Sequence, residues 1–343
     1  MNSLRKDPAG TMLAPQALAS TSVKASPVFS LVITSQNRKD DLLRTLAAMR
    51  PKLIPEHEIV VFDNGSVDGT AAAVASEFPE VTLVAQSPGL AFTAARNRLM
   101  TLARGDYALS LDDDSEVVTA DFARIVLDYF EEHPRCAVIS FPVYWGKDLP
   151  ACKPEGEQPR RVQSFVGCGH VWRMEAWRSI PEYPEWFEFY GEEAFASLSL
   201  LKRGWEVHYF PDVLVHHRVD LSKRSADRAQ RIWRYRRHLR ASIFVMLLFY
   251  PASALPRRLA YVVWTQIKLR LLNAREFAMV SSLFWVLWEV MKTASLVRRT
   301  RQPMTKEEWT LWNRLAPGVI YWAPGKSEPV PVSADSQRQF ESR

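Results

Sequence analysis

From Phe29 onward, short apolar runs alternate with stretches in which apolar residues recur every three or four positions. Phe29-Ser-Leu-Val-Ile-Thr34 has the composition of a strand, and Leu42, Leu43, Leu46 and Met49 then fall at helical spacing. Glu58-Ile-Val-Val-Phe62 predicts a second strand that ends in the turn Asp63-Asn-Gly-Ser-Val-Asp-Gly69, and Ala71, Ala72, Val74, Ala75 and Phe78 predict a helix behind it. Residues 81–84 predict a third strand, 91–103 a helix, and 107–111 a fourth strand running into Asp112-Asp113-Asp114. Strands alternating with helices predict an α/β fold on a mostly parallel sheet. In such sheets ligands gather at the carboxyl ends of the strands, where Asp63 and Asp112 both fall.

Residues 144–163, rich in Pro, Gly and charge, predict a mobile surface loop. Pattern resumes at Phe165-Val-Gly-Cys-Gly-His170, followed by a helix near 194–202 and two further strands at 207–210 and 213–215. Beyond His217 the pattern is helical, with apolar and aromatic segments at 243–250, 259–264 and 277–288. None of them reaches the roughly 18 uncharged residues of a membrane-spanning helix. Residues 1–27 and 323–343 are expected to be disordered tails, the first broken by Pro15 and Gln16 where a secretory leader needs an apolar run. The expected division is an α/β domain over 28–218, in halves 28–115 and 116–218, and a helical, basic region over 219–322.

Composition adds two constraints. A chain of 343 residues with 47% hydrophobic content can bury a sizeable core, which excludes disorder throughout. Cys136, Cys152 and Cys168 form an odd, sparse set without a C-x-x-C pair, which argues against a disulfide framework or structural zinc and for a reducing cytoplasm. Charge is uneven: residues 1–217 carry 21 Lys/Arg and 29 Asp/Glu (−8), and residues 218–343 carry 23 and 9 (+14). The first part has the balance of an enzyme body; the second, that of a region that meets polyanions.

Three consecutive carboxylates at the end of an apolar strand repel one another. A hard divalent cation removes that cost, and Mg²⁺ or Mn²⁺ bound by one or two carboxylates and a diphosphate fits such a cluster. Taken alone, the triplet could be a solvated acidic turn. A second acidic turn at Asp63 favours the site: Ser66 or Asp68 can cap the next helix, which leaves Asp63 to accept from a ring N–H of a base.

With these motifs in place the chain resembles a family 2 glycosyltransferase of the GT-A fold, of the bacterial glycan or rhamnosyl-transferring kind. The resemblance rests on Val32-Ile-Thr-Ser-Gln-Asn-Arg38, the Asp63 turn, Gly89-Leu-Ala-Phe-Thr-Ala-Ala-Arg-Asn97, Leu111-Asp-Asp-Asp114, Phe189-Tyr-Gly-Glu-Glu193 and Phe210-Pro-Asp-Val-Leu-Val-His-His217, in order over about 28–218. It implies a GT-A sheet followed by a helical C-terminal domain, and inverting transfer of a hexose or deoxyhexose from a nucleotide-diphosphate sugar. It further implies that Thr34, Arg38 and Asp63 line the base pocket and that Arg96 reaches the base or diphosphate. Asp112 would hold the ribose or a metal-bound water, with Asp113 beside it, and Asp114 and His216 would ligate Mg²⁺ or Mn²⁺. The catalytic base would come from Glu192-Glu193, Glu193 preferred, although Glu stands at 193 where Asp is usual and Phe195 where an acid is common.

The basic run from Arg218 to Arg240, with Lys223, Arg224, Arg228, Arg231, Arg234, Arg236 and Arg237 interleaved with Trp233 and Tyr235, fits anionic lipid, nucleic acid or a solvated helix face. The apolar segments behind it favour lipid over nucleic acid. The similarity to transferases acting on lipid-linked or cell-surface glycans implies a peripheral place on the inner face of the cytoplasmic membrane. Gln230-Arg-Ile-Trp-Arg234 reverses the end of the Q-x-x-R-W motif of processive members, so a single-sugar transfer is expected. Two rival readings are a haloacid-dehalogenase-type phosphatase using Asp112 and Asp114, and a lipid- or nucleic-acid-binding module with a degenerate transferase domain.

Overall fold

The computed structural model describes residues 27–150, 152, 154–219, 228–268, 277–319 and 321–323. Lys223 and Arg224 of the basic run, and the expected tails apart from Pro27 and Ala323, lie outside the described residues. The first part of the chain forms β1 (Phe29–Ser35), α1 (Lys39–Met49), β2 (His57–Asp63), α2 (Thr70–Glu77), β3 (Thr82–Ala85), α3 (Phe92–Leu102) and β4 (Tyr107–Asp112). These four strands pair in parallel in the order β3-β2-β1-β4. Their sequences read as apolar runs because helices cover both faces. Phe29, Leu31 and Ile33 face a core shared with Leu42 and Leu46 of α1, while Val32 faces the opposite core with Ala95 and Leu99 of α3.

The chain continues through β5 (Ser115–Val117), α4 (Phe122–Glu132), β6 (Cys136–Ser140), β7 (Val143–Trp145), β8 (Arg160–Arg161), β9 (His170–Arg173), α5 (Met174–Arg178), α6 (Glu192–Lys202), β10 (Glu206–Tyr209) and β11 (Val215–His217). The main sheet has eight strands in the order β3-β2-β1-β4-β9-β6-β10-β8. β9 runs antiparallel between β4 and β6. A small sheet, β5-β11-β7, lies beside the end of β4. The expected loop over 144–163 is corrected at both ends: Tyr144 and Trp145 pair with His216 and His217, and Arg160 and Arg161 add an edge strand to β10.

The helical part comprises α7 (Arg228–Phe249), α8 (Leu255–Gln266), α9 (Phe277–Lys292), α10 (Ala294–Thr300) and α11 (Lys306–Arg314). It shares a core with the catalytic part: Phe244, Leu248 and Phe249 of α7 pack with Phe187, Phe195, Leu198 and Leu201 around α6. Burying such side chains stabilises the contact by about 1.5–3 kcal/mol each. α11 starts on a capping box, with Thr305 accepting from Glu308 N and Glu308 accepting from Thr305 N. The chain then returns to the first part, where Gln163 N donates to Ala316 O and Trp322 N to Val143 O.

Candidate active site

Parallel pairing brings the ends of β1, β2 and β4 level, with Ser35 opposite Asp63 and Thr34 opposite Asp112. Asp63 Oδ1 accepts from Ser66 N at 3.0 Å, so one carboxylate oxygen holds its own turn. Asn64 fixes the next loop, donating to Leu90 O at 3.0 Å and accepting from Leu90 N at 2.7 Å. The two loops touch closely. A Cβ on Gly89 would lie 2.4 Å from Asn64 O, and Gly65 holds φ +86°, which glycine alone adopts without strain. Thr34 Oγ1 is buried with no hydrogen-bond partner.

β4 delivers the three aspartates into different surroundings. Asp112 is a third exposed and meets Arg96 Nη2 at 3.1 Å. Asp113 is buried, accepting from Ser35 Oγ at 2.8 Å while its backbone oxygen accepts from Thr45 Oγ1. Burial pushes the Asp113 carboxyl up to about 7, against the pull of Arg38 3.4 Å away. Asp114 is buried as well, yet His217 and Arg38 outweigh burial and hold its carboxyl well below the usual range. The segment carrying Arg38 bonds the Asp63 turn, through Asn37 N to Ser66 Oγ and Lys39 N to Asp68 Oδ2. The Arg38 guanidinium lies across Asp41, Asp113 and Asp114, at 2.6 Å from the last.

The histidine assignment is corrected. His216 is turned away, with Nε2 2.9 Å from Gly146 O and Nδ1 3.7 Å from Glu116. His217 Nε2 instead lies 2.8 Å from Asp114 Oδ1 and 3.7 Å from Asp112 Oδ2. Alternation along β11 explains this: Val215 belongs to the core, and His217 is in phase with it.

The donor atoms at this point suit a divalent cation. Asp114 Oδ1 is buried and faces His217 Nε2 at 2.8 Å, and one side-chain ligand atom each from Asp112, Cys168 and His217 lie within 4.8 Å of one another. Burial pulls the His217 imidazole down, but Cys168 first and then Asp114 and Asp112 hold it well above its ordinary value. A proton held there and a divalent cation compete for the same lone pair.

On the other side of Arg96 stand the two glutamates. Gly191, at φ +90°, turns the chain into α6, whose first residues are Glu192 and Glu193. Arg96 Nη1 donates to Gly167 O at 2.8 Å, and its guanidinium lies 4.7 Å above the Phe92 ring. A Cβ on Gly167 would sit 2.5 Å from Glu193 Oε1, so the backbone at 167 passes directly over this carboxylate. Glu192 is 2% exposed, with Oε2 unpaired. Both carboxyls are pushed up, by burial first; at Glu193 the Glu192 charge adds to it and the value reaches about 8. Asn97, one residue past Arg96, locks the approach to this loop by bonding both backbone groups of Tyr183.

Thr34 and Asp63 thus lie at the strand ends, Arg96 pairs with Asp112 and lies near Glu193 across Gly167, Arg38 pairs with Asp113 and Asp114, and His216 is turned toward Gly146 and Glu116. Sequence reasoning assigned no role to Ser35, Asn64, Gly167 or Cys168, and of the pair His216-His217, only one of which can face the pocket, it preferred His216. Only His217 left a legible signal, its phase with Val213 and Val215.

Residues 30–180 match the family described as Glycosyl transferase family 2. No curated protein matches the chain in sequence. The fold is similar to GalNAc-T7 with UDP, GalNAc and Mn²⁺, with a TM-score of 0.55 and 14% identity over 79% of this chain and 58% of that one. It is also similar to S. aureus TarS with UDP-GlcNAc (0.50, 15%, covering 76% and 81%). A mannosyltransferase from Pyrobaculum calidifontis with GDP-Man and Mn²⁺ aligns with a TM-score of 0.50 and 16% identity over 84% of each chain. At such identities the likeness speaks for the fold, a GT-A sheet with a helical region after it. The phosphatase reading of Asp112 and Asp114 is set aside by the family match.

Proposed function

We propose that this chain, whose residues 30–180 match the family 2 glycosyltransferase model, transfers one hexose or deoxyhexose from a nucleotide-diphosphate sugar to an acceptor hydroxyl with inversion. The observation that carries the reading is Arg96, which bonds Asp112 on the side of the cation-binding groups and lies beside the Glu192-Glu193 pair on the other. Asp63 and Thr34 take the base, and Asp112 and Asp113 hold the ribose side and shape the acidic cluster. Asp114 and His217 hold the cation, with Cys168 within reach. The carboxylates suit Mg²⁺ or Mn²⁺. When bound, the cation offsets the charge of the departing diphosphate.

Glu193 accepts the proton of the acceptor hydroxyl as its oxygen bonds to the anomeric carbon. The bond from that carbon to the phosphate oxygen breaks on the opposite face, so the configuration inverts. Arg96 stands where charge develops on the leaving nucleoside diphosphate. Burial of Glu193 makes it a stronger base than a solvated carboxylate.

Among the described residues no helix is long and apolar enough to cross a membrane. The basic C-terminal part supports a peripheral place on an anionic membrane, the inner face of the cytoplasmic membrane, with a lipid-linked or cell-surface glycan as acceptor. Incubation of the purified chain with UDP-, GDP- and dTDP-sugars, Mn²⁺ and membrane-extracted acceptors tests the reaction. Release of one nucleoside diphosphate with an inverted anomeric proton signal is expected. Retained configuration, or no release from any donor, overturns it.

A further inference from the structure

Three arginines of the basic run on α7 are engaged within the protein. Arg237 and Arg240 pair with Glu188, Arg240 also donates to Phe187 O, and Arg236 donates to Ser282 of α9. These arginines fasten the helical part to the loop that leads into Glu192 and Glu193, and they do not form the polyanion-binding face expected from the sequence.

The exposed apolar side chains lie elsewhere. On α8, Arg257, Tyr261 and Trp264, with Lys268 just past the helix end, are exposed at i, i+4, i+7 and i+11. On α9, Phe284, Leu287, Trp288 and Met291 fall at i, i+3, i+4 and i+7, with 76%, 57%, 58% and 56% of their surface exposed. The opposite sides of both helices, through Val262, Leu283 and Val286, pack on Tyr235 and Leu239 of α7. Helical spacing therefore sends these two stripes outward. Past the α9 stripe, Lys292, Arg298 and Arg299 are exposed as well.

We infer that the outward stripes of α8 and α9, with their basic margins, are the surface that docks on an anionic lipid bilayer; this deepens the peripheral-membrane reading above and rests on it. A monomeric soluble protein rarely leaves a row of large apolar side chains such as Phe284, Leu287, Trp288 and Met291 uncovered. Charge selects the occupant. Residues 255–300 carry eight Lys/Arg and two Asp/Glu, 8 − 2 = +6. Of the two acids, Glu289 is engaged by Arg240 and Lys292, and Glu276 lies outside the described residues. A second copy of this face would bring like charges together. Nucleic acid would take the cations but leave Phe284, Leu287 and Met291 without a counterpart. Lipid takes both: apolar residues enter the acyl boundary, Trp and Tyr sit at headgroup level, and Arg and Lys meet the phosphates.

The test is co-sedimentation of the full chain with vesicles of phosphatidylcholine alone or mixed with phosphatidylglycerol. A Phe284→Ser/Trp288→Ser double variant and an Arg298→Glu/Arg299→Glu double variant are compared with wild type. Wild type is expected on the mixed vesicles and in solution with the neutral ones. Each double variant is expected to lose about tenfold or more in vesicle affinity. Substitution at exposed positions leaves the fold in place, checked by an unchanged thermal midpoint. Wild-type binding that both variants retain overturns the proposal, as does a dimer in solution that the serine variant dissociates, or binding of a DNA duplex in preference to vesicles. Nucleoside-diphosphate binding is measured on the same samples. If it is missing while vesicle binding behaves as described, the transferase reading fails and the docking surface stands.

Discussion

The catalytic and helical parts use charge and apolar surface in opposite ways. Around β1, β2 and β4 the large apolar residues are buried, and the informative charges are drawn inward as well: Asp113, Asp114, Arg96 and Glu192 are each less than a tenth exposed. In α8 and α9 Tyr261, Trp264, Phe284 and Trp288 are exposed, while the buried charge, Arg240, fastens the helices to the loop before α6. Buried carboxylates without compensation are costly, so a cluster of them marks where a ligand's charge is expected. Exposed Trp and Phe mark where another apolar phase is expected. The first part reads as the chemistry and the second as the placement.

The sharpest way to break the comparison is Glu193→Gln, which should lower kcat by about two to four orders of magnitude with nucleotide affinity unchanged. The same residue sets the pH profile. Its carboxyl is raised by burial and by Glu192, and a base works only when ionised, so the rate should climb with pH through about 8 and level off above it. Glu192→Gln removes a neighbouring negative charge and should move that rise to lower pH. A profile that falls over this range would remove Glu193 as base.

Gly167→Ala comes next. The added methyl would sit 2.5 Å from Glu193 Oε1, and a shift of the base by about an ångström costs about a hundredfold in kcat. Steady-state kinetics should show the loss in kcat, with donor KM little changed.

Arg240→Met crosses the boundary between the two parts. It removes the donor to Phe187 O and one of the two cationic partners of Glu188 and of Glu289, so about 1–3 kcal/mol of stability should be lost, read as a lowered midpoint in denaturant. Phe284→Ser should show the smallest effect on the fold, within about 0.5 kcal/mol, as for other exposed positions.

The sequence carried the strand ends because an apolar run that stops at an aspartate is a local pattern, and Asp63 and Asp112 could be placed from it. Pairing order is a long-range property. Nothing near His170-Val-Trp-Arg173 announces an antiparallel strand between β4 and β6. The histidine pair needed the phase of β11, which is fixed by Val215 entering the core. The pairing of Arg38 with Asp114 was not legible because a long side chain three residues past a strand can reach several of the carboxylates at the strand ends. The direction of the arginines on α7 depends on the loop at 185–191, whose position only the folded chain reveals.

The central claim is that the carboxylate end of β4, with His217, holds a divalent cation together with a nucleoside diphosphate. Isothermal titration of UDP and GDP into wild type and Asp114→Asn, each with and without Mn²⁺, tests it most directly. The account predicts that one diphosphate binds wild type at least about tenfold more tightly with Mn²⁺, in line with the charge the cation neutralises, and that this gain disappears in Asp114→Asn. Equal affinity with and without Mn²⁺ in wild type, or a gain that survives the substitution, would contradict it.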